Sequence, residues 1–310
     1  MALLTIGMPL YRNAATLERT VRAIQAQTFT DFQVIMSDDI SPDDTVAVAE
    51  RLIAGDARFT LVRQPKNLNY GNFRYVLNAA DTPFFVFLSG DDWWEPTFLE
   101  RCLEVLRDEG VVCATPKIKF IDDADGRLSY GTLTITGTME ERFIKYLDNI
   151  EDACRLYGVY RTEVAQACFP PDNHYSYDTS FSGLTTLYGD HVELPEVLMY
   201  REQTQEEKYY TYVRRDAQTW LQKFFPFLGN MTCMMRDPRV RHIPGVRRRM
   251  WAILLNTHLI YVARFHPTYS RVVRPLLVPV VWRLCAAVAR KKVKLHRPGE
   301  APRSEPAWGG

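Results

Sequence analysis

The stretch FFVFLSGDDWWEP, residues 84–96, begins like a buried β-strand and then stops abruptly. Its apolar start is followed by a Ser-Gly break, two adjacent acids, two tryptophans and a proline. Neighbouring carboxylates such as Asp91 and Asp92 make each other harder to ionise. We therefore expect a positively charged group to lie beside this pair.

Strand-like and helix-like segments alternate on both sides of this stretch, which predicts the α/β class with a Rossmann-like, mostly parallel sheet flanked by helices. The segment Ser41-Pro42-Asp43-Asp44 predicts that the second helix begins directly after Ser41, with Ser41 as its N-cap residue. Strands are predicted at Leu3–Pro9, Phe32–Met36, Phe59–Val62 and Phe84–Leu88 and from Val111, and helices at Asn13–Gln27 and Gly71–Ala80 and from Ser41 and Pro96.

Composition indicates a folded protein with two differently charged parts. The 310 residues are 46% hydrophobic, which is enough for a large core. Residues 207–310 contain 20 Lys and Arg against 5 Asp and Glu, whereas residues 1–206 contain 18 against 32. This asymmetry predicts that the basic part meets an anionic surface.

The cysteines and the N-terminus favour a cytoplasmic chain. The six cysteines show neither a CxxC pair nor a zinc-ligand spacing with His, so they are interpreted as reduced core thiols. The first ten residues lack a basic region and a cleavage-like site, so no export signal is predicted.

Polar residues follow three of the predicted strands where each strand ends. Tyr11 follows the first strand, Asp38-Asp39 the second and Asp91-Asp92 the fourth. In open parallel sheets the ligand crevice lies beyond these carboxyl ends. The segment GMPLYRNAA lacks the glycines of a dinucleotide loop. A diphosphate bound here would therefore need a divalent cation, for which carboxylates are suitable ligands.

Several stretches, in the right order, resemble a family 2 glycosyltransferase with the GT-A fold. The resemblance covers roughly residues 3–201. The segments that carry it are LLTIGMPLYRNAATLERTVRAIQAQTFTDFQVIMSDDISPDDT, KNLNYGNFRYVLNAADTPFFVFLSGDDWWEP and LPEVLMYRE. They are similar to the family's opening strands, to its metal-binding acids with the Trp-x-Pro that follows, and to the strand that closes its catalytic domain.

The resemblance implies a role for each of several residues. One departure affects them: the family commonly has Asp-x-Asp-Asp where this chain has Ser89-Gly90-Asp91-Asp92. The implied assignments are Pro9 and Tyr11 beside the nucleobase, Asp39 with Asp38 on the base or ribose, Asn67 and Arg74 as further donor contacts, Asp91 on the nucleotide sugar, and Asp91 with Asp92 as ligands of Mn²⁺ or Mg²⁺.

The resemblance also implies a catalytic base at the start of a helix in the second half. The segment NHYSYDTSFSGLTTLYGD offers Asp178 there, with Tyr177 in place of a first acid. An Asp at a helix start is often only an N-cap, and Asp172 is the alternative base. His174 and His191 are considered as a third metal ligand but not assigned, because a lone histidine is usually structural.

These expectations divide the chain into three parts. Residues 1–206 form the GT-A catalytic domain, with a nucleotide-binding half (1–115) and an acceptor half (116–206). Residues 207–297 form a basic amphipathic helical extension, and residues 298–310 a disordered tail. The segments RRRMWAILLNTHLIYVARF and RVVRPLLVPVVWRLCAAVARKKVK have the composition of helices that lie on an anionic membrane.

Two alternatives remain for the helical extension, and one partner is excluded. The helices could instead pack on the catalytic domain or form a homo-oligomer interface. Nucleic acid is not an expected partner, because the aromatic residues are embedded in apolar runs and not interleaved with the cations. The expected location is the cytoplasmic face of the inner membrane.

The predicted function is an inverting, metal-dependent transfer of a sugar from a UDP-, dTDP- or GDP-linked donor. The acceptor is a hydroxyl of a carbohydrate or lipid-linked molecule, in bacterial surface polysaccharide or glycolipid assembly. A nucleotidyltransferase is the alternative enzyme, but its Gly-rich loop with Arg and Lys is absent after the first strand. A non-catalytic nucleotide-sugar-binding protein is the other alternative, given the missing acid before Asp91.

Overall fold

An eight-stranded sheet forms the centre of the fold. The computed structural model describes residues 2–121, 128, 133–150, 154–202 and 219–265. The strand order is β3-β2-β1-β4-β7-β6-β8-β5, and the first four of these are parallel neighbours. The strands are β1 (Leu4–Leu10), β2 (Phe32–Asp38), β3 (Phe59–Arg63), β4 (Phe84–Phe87), β5 (Trp93–Trp94), β6 (Val111–Phe120), β7 (Val159–Arg161) and β8 (Asp190–Arg201).

Helices connect the strands and continue after the sheet. Their alternation with β1 to β4 confirms the predicted α/β class with a mostly parallel sheet. The helices are α1 (Leu17–Gln25), α2 (Thr45–Ile53), α3 (Tyr70–Asn78), α4 (Phe98–Val105), α5 (Met139–Leu147), α6 (Thr162–Cys168), α7 (Tyr177–Thr185), α8 (Trp220–Phe224), α9 (Leu228–Met234), α10 (Pro238–His242) and α11 (Val246–Phe265), with a short 3₁₀ helix at Cys154–Tyr157.

The main core lies on both faces of the parallel strands. The central strand β1 is buried along almost its whole length, as expected for a strand covered by helices on both sides. Gly7 in β1 provides the space for a phenylalanine from β4, since a Cβ at Gly7 would lie 2.6 Å from the Phe85 ring. The described cysteines are buried thiols that form no disulfide, and Cys285 lies outside the described residues.

The predicted Ser41 cap is wrong. Helix α2 begins at Thr45, and Asp44 is its N-cap residue. The Ser41 hydroxyl instead accepts the Arg12 N–H at 3.1 Å, and Ile40 has a positive φ of 57°. Ser41, in the loop between β2 and α2, is thus bonded to the loop that follows β1, and α2 starts about one turn later than the capping pattern suggests.

A second apolar core joins α5 and α7 to the helices beyond residue 219. Its buried members come from α5 and the end of α7 on one side and from α9, α10 and α11 on the other. They include Phe143, Tyr146, Leu147, Leu187, Phe227, Met234, Val240, Ile243, Val246, Met250 and Leu254. The described helices of the basic segment therefore pack on the catalytic domain, which is one of the alternatives given above.

The remaining predictions for the C-terminal segment stay predictions. Residues 207–218 and 266–310, with the second predicted membrane helix and the tail at 298–310, lie outside the described residues. Within the described helices, none is both long and apolar enough to cross a membrane.

Candidate active site

The acid pair that follows β4 has its positive partner at the end of β8. Arg201 Nε donates to Asp92 Oδ2 at 3.1 Å, and the Asp92 side chain is only 1% exposed. Burial raises the pKa of Asp92 to about 7, the Asp91 charge adds to this, and Arg201 opposes it. The Asp91 side chain is part-exposed. Arg201 is therefore the positive group that the sequence predicts beside these acids, and it contacts Asp92.

Arg201 also organises the surrounding side chains. Its Nη2 donates to the Tyr157 hydroxyl at 3.2 Å, and its guanidinium lies 4.2 Å from the centre of the Tyr157 ring. The Tyr157 hydroxyl lies 3.1 Å from Ser89 Oγ, in the turn that precedes the acids. Burial raises the pKa of Tyr157 well above its usual value. Arg201 therefore ties the turn after β4 to the end of β8.

Asp178 lies in the first turn of α7, within electrostatic range of the same guanidinium. Its Oδ1 accepts the Ser176 hydroxyl at 2.9 Å and the Thr179 N–H at 2.8 Å. Burial raises the pKa of Asp178 above its ordinary value, and the hydrogen bond from Ser176 and the charge of Arg201 oppose this rise. The charge of Arg201 therefore acts on Asp178 as well as on Asp92, to which Arg201 is bonded.

The second acid pair lies where β1 and β2 end. The Asp39 carboxylate accepts the N–H groups of Leu68 at 2.5 Å and Asn69 at 2.8 Å, so it holds the loop before α3. The Asn67 side chain donates to the Asp39 carbonyl at 3.0 Å. Asp38 Oδ2 accepts the Ser41 N–H, whereas its buried Oδ1 has no hydrogen-bond partner among the described residues. Asp38 Oδ1 is thus a buried acceptor whose hydrogen bond the described residues leave unsatisfied.

Pro9 and Tyr11 lie at this edge of the sheet, whereas Arg74 contacts another segment. Pro9 in β1 is paired in register with Ser37, and Tyr11 just beyond β1 is 46% exposed. The Arg74 side chain donates to the Pro170 carbonyl, which also accepts the Tyr70 hydroxyl. Arg74 therefore anchors the chain that leads towards α7.

The two histidines and Asp172 are bonded to groups other than the acid pair. His174 Nε2 is 2.8 Å from Ser180 Oγ, and burial lowers its pKa. His191 is buried, which also lowers its pKa, and lies ten residues before Arg201 in β8, a distance of about 30 Å along an extended strand. Asp172 forms an exposed ion pair with Arg236 at 2.6 Å. Neither histidine is thus placed as a third ligand beside Asp91 and Asp92.

The described residues contain no preformed cage for a metal ion. Among them, no three His, Cys, Asp or Glu side chains are close enough together to hold one. Mg²⁺ and similar cations commonly take one or two carboxylates from the protein and complete their shell with substrate phosphates and water. The part-exposed Asp91 carboxylate fits this second kind of site, whereas Asp92 is occupied by Arg201.

Comparison with known proteins gives one family and one group of structures. A family model described as "Glycosyl transferase family 2" matches residues 5–169. A relative from Campylobacter jejuni, named GalNAc(5)-diNAcBac-PP-undecaprenol beta-1,3-glucosyltransferase, is 35% identical over 97 residues, which are 30% of each chain. The chain spans about half or less of the length of the first curated relatives it matches.

Two solved structures share the fold. Staphylococcus aureus TarS 1–349 in complex with UDP-GlcNAc has a TM-score of 0.55 at 16% identity, covering 84% of this chain and 81% of that one. The mannosyltransferase PcManGT from Pyrobaculum calidifontis, in complex with GDP-Man and Mn²⁺, has a TM-score of 0.54 at 16% identity, covering 95% and 88%. At these identities the likeness establishes the fold alone, and it agrees with the GT-A prediction.

Proposed function

This chain belongs to glycosyl transferase family 2, and we propose that it moves a sugar from a nucleoside-diphosphate donor to an acceptor hydroxyl. The transfer inverts the configuration at the anomeric carbon. One observation carries the proposal. Arg201 is bonded to Asp92 in the turn after β4, and its charge also acts on Asp178 in the first turn of α7, about ninety residues away in sequence. A general base and a phosphate-binding edge in one site are what a single displacement needs.

In the proposed reaction Asp178 is the general base. Its carboxylate removes the proton from the acceptor hydroxyl while that oxygen attacks C1 of the donor sugar. The bond between C1 and the diphosphate oxygen breaks, and the electron pair leaves with the nucleoside diphosphate. The raised pKa of Asp178 suits this role, because a stronger base accepts the proton more readily, provided it is ionised at the working pH.

Asp91 is the residue proposed to hold a divalent cation, Mn²⁺ or Mg²⁺. When bound, such a cation supplies positive charge that stabilises the departing diphosphate. Asp92 has a different role, because its buried carboxylate is bonded to Arg201. It fixes the turn that presents Asp91. The PcManGT structure, a complex with GDP-Man and Mn²⁺, supports this proposal by analogy of fold.

The nucleotide is proposed to bind where β1 and β2 end. The unpartnered Asp38 Oδ1 accepts an N–H of the base, and the exposed Tyr11 ring packs beside it. Asp39 and Asn67 act indirectly, since their described contacts hold the loop that forms one wall. UDP, dTDP and GDP sugars are the candidate donors, and the two neighbouring structures contain UDP-GlcNAc and GDP-Man.

The acceptor is proposed to be a lipid-linked or carbohydrate hydroxyl presented at the cytoplasmic membrane face, in surface polysaccharide or glycolipid assembly. The name of the Campylobacter jejuni relative includes an undecaprenol-linked acceptor. On α11, Arg247, Arg248 and Trp251 are exposed, with Trp251 at 52%, which is a composition that favours anionic lipid surfaces.

Flotation with liposomes that contain anionic lipid tests the membrane proposal. The wild-type protein should float at low salt and be released at high salt, and Trp251→Ala should float several-fold less. Tyr75→Ala, which removes an exposed aromatic residue from α3, is the matched control and should float like the wild type. Absence of binding to anionic liposomes at low salt would exclude the proposal.

Substitution of the proposed base tests the catalytic function. Asp178→Asn should lower kcat for nucleoside diphosphate release by about 100-fold or more, with donor binding retained. The assay uses a panel of UDP-, dTDP- and GDP-sugars with an extract of lipid-linked saccharides. Asp172→Asn is the control, because Asp172 forms only an exposed ion pair with Arg236, and it should stay within twofold of the wild type.

Two results would contradict this assignment. Full turnover in Asp178→Asn would remove Asp178 as the base. Donor binding without turnover in the wild-type protein, over the whole panel, would favour the non-catalytic nucleotide-sugar-binding protein.

A further inference from the structure

Ser176, which precedes α7, has a backbone conformation that needs support. Its φ of 57° and ψ of 45° are left-handed, a region that residues other than glycine seldom adopt. Its hydroxyl donates to Asp178 Oδ1 at 2.9 Å and lies 2.8 Å from Thr179 Oγ1. The orientation of the Asp178 carboxylate therefore depends on a residue whose conformation must be held by its neighbours.

Asn230, on α9, is the side chain that reaches this residue. It is fully buried, and its Nδ2 donates to the Ser176 carbonyl. The same Nδ2 lies 3.3 Å from Ser180 Oγ, which in turn is 2.8 Å from His174 Nε2. Burying an amide without hydrogen bonds is costly. The two bonds of Nδ2 therefore hold Asn230 to Ser176 and Ser180.

Close packing holds α9 against the segment that carries Ser176. A Cβ at Gly229, next to Asn230, would lie 2.6 Å from His174 Cβ. A Cβ at Gly183 in α7 would lie 3.0 Å from Met234 Sδ in α9. On another side, the Tyr146 hydroxyl of α5 donates to the Thr179 carbonyl at 2.7 Å. The first turn of α7 is thus fixed by contacts with two helices, α5 and α9.

We propose that Asn230 is a positioning residue for catalysis: it holds Ser176 in the left-handed conformation from which the Ser176 hydroxyl orients Asp178. The proposal rests on the function of Asp178 as base. Asn230 lies beyond residues 5–169, the part that the family model matches. The C-terminal helices are therefore part of the catalytic apparatus, in addition to any contact with a membrane.

Kinetics of Asn230→Leu and Ser176→Ala test this proposal, with nucleoside diphosphate release as the assay. Each variant should lower kcat by roughly tenfold and leave the donor KM within twofold, because the donor edge is untouched. Loss of the Ser176 hydrogen bond raises the pKa of Asp178. The acidic limb of the kcat/KM profile should therefore move to higher pH, by roughly one unit in both variants.

Controls separate positioning from a general loss of structure. Thr232→Ala removes an exposed hydroxyl of α9 that bonds only to carbonyls of its own helix, and it should leave kcat and the pH profile unchanged. In Ser176→Ala the contact of Asn230 with the backbone carbonyl remains, so this variant keeps the helix packing. The double variant Asn230→Leu with Ser176→Ala should have a kcat hardly lower than that of either single variant, because both substitutions act through the Ser176 hydroxyl.

The outcomes distinguish this proposal from the one on which it rests. If Asp178→Asn keeps its turnover, the proposed base is wrong. If Asp178→Asn is inactive but folded Asn230→Leu shows wild-type kcat, or a lower kcat with no shift of the acidic limb, the positioning role of Asn230 is wrong. If Asn230→Leu does not fold, an unshifted limb in Ser176→Ala likewise overturns the positioning role.

Discussion

At the scale of single residues, the buried ion pair between Asp92 and Arg201 determines how the site is arranged. A buried pair is weak evidence for stability, since the desolvation of both groups offsets their attraction. Breaking such a pair by removing one partner leaves an uncompensated charge, which is strongly destabilising. The pair is better explained by its effect on geometry, because it fixes the turn after β4, which carries Asp91, to the end of β8.

The raised pKa of Asp92 predicts a stability that depends on pH. The folded-state pKa of about 7 lies above the ordinary value of 3.8, so the folded protein binds the proton more tightly. The bound proton therefore stabilises the folded state fully below about pH 4, and this stabilisation is lost as the pH rises through about 7. Between pH 5 and 8, the melting temperature should therefore fall by a few °C more in the wild type than in Asp92→Asn.

The slope against pH, and not the absolute melting temperature, is the readout of that comparison. Asp92→Asn also leaves Arg201 without its charged partner, which lowers stability at every pH. Equal slopes in the two proteins would contradict the raised pKa of Asp92.

Sequence reasoning predicted the acids of the candidate site but not the residues that contact them. Asp91, Asp92 and Asp178 follow from strand ends and from the family resemblance. Arg201 and Asn230 do not, because their partners Asp92 and Ser176 are 109 and 54 residues away in the chain. A single sequence carries no signal for such distant pairs.

At the scale of elements, periodicity predicted most of the parallel half of the sheet. The strands β1 to β4 and the helix α4 appear where alternating apolar segments place them. The mixed half was less predictable, because β5 has two residues and β7 has three, too few for a pattern. The misplaced cap at Ser41 has a similar cause, since a local motif competes with loop contacts that only the fold supplies.

Gly7 and Gly71 give a matched test of how tightly these elements pack. Gly7→Ala places a methyl group 2.6 Å from the fully buried Phe85 ring, so it should lower the free energy of unfolding by about 1–3 kcal/mol. Gly71→Ala, in the first turn of α3, meets only Leu68 at 3.3 Å and should be neutral or stabilise by up to about 1 kcal/mol. Denaturant unfolding of both variants provides the comparison, and a neutral Gly7→Ala would show that β1 and β4 pack less closely.

At the scale of the whole molecule, two apolar cores organise the described chain. The main core covers the sheet, and the second core joins α5 and α7 to α9, α10 and α11. The charge asymmetry about residue 206 predicted a separate basic part, and composition alone could not reveal that its helices complete the second core. Because α7 belongs to both, the proposed base is held between the sheet and the C-terminal helices.

The central claim is that a nucleoside-diphosphate donor binds through a cation at Asp91. The most direct measurement is the melting temperature of wild-type protein and Asp91→Asn with UDP, GDP, dTDP or CMP, with Mn²⁺ or with chelator. One nucleoside diphosphate should raise the wild-type value by several °C with Mn²⁺, an effect of about 2.7 kcal/mol at a hundredfold excess over Kd. The chelator and Asp91→Asn should each abolish the increase. No increase with any nucleotide, or an equal increase in Asp91→Asn, would contradict the claim.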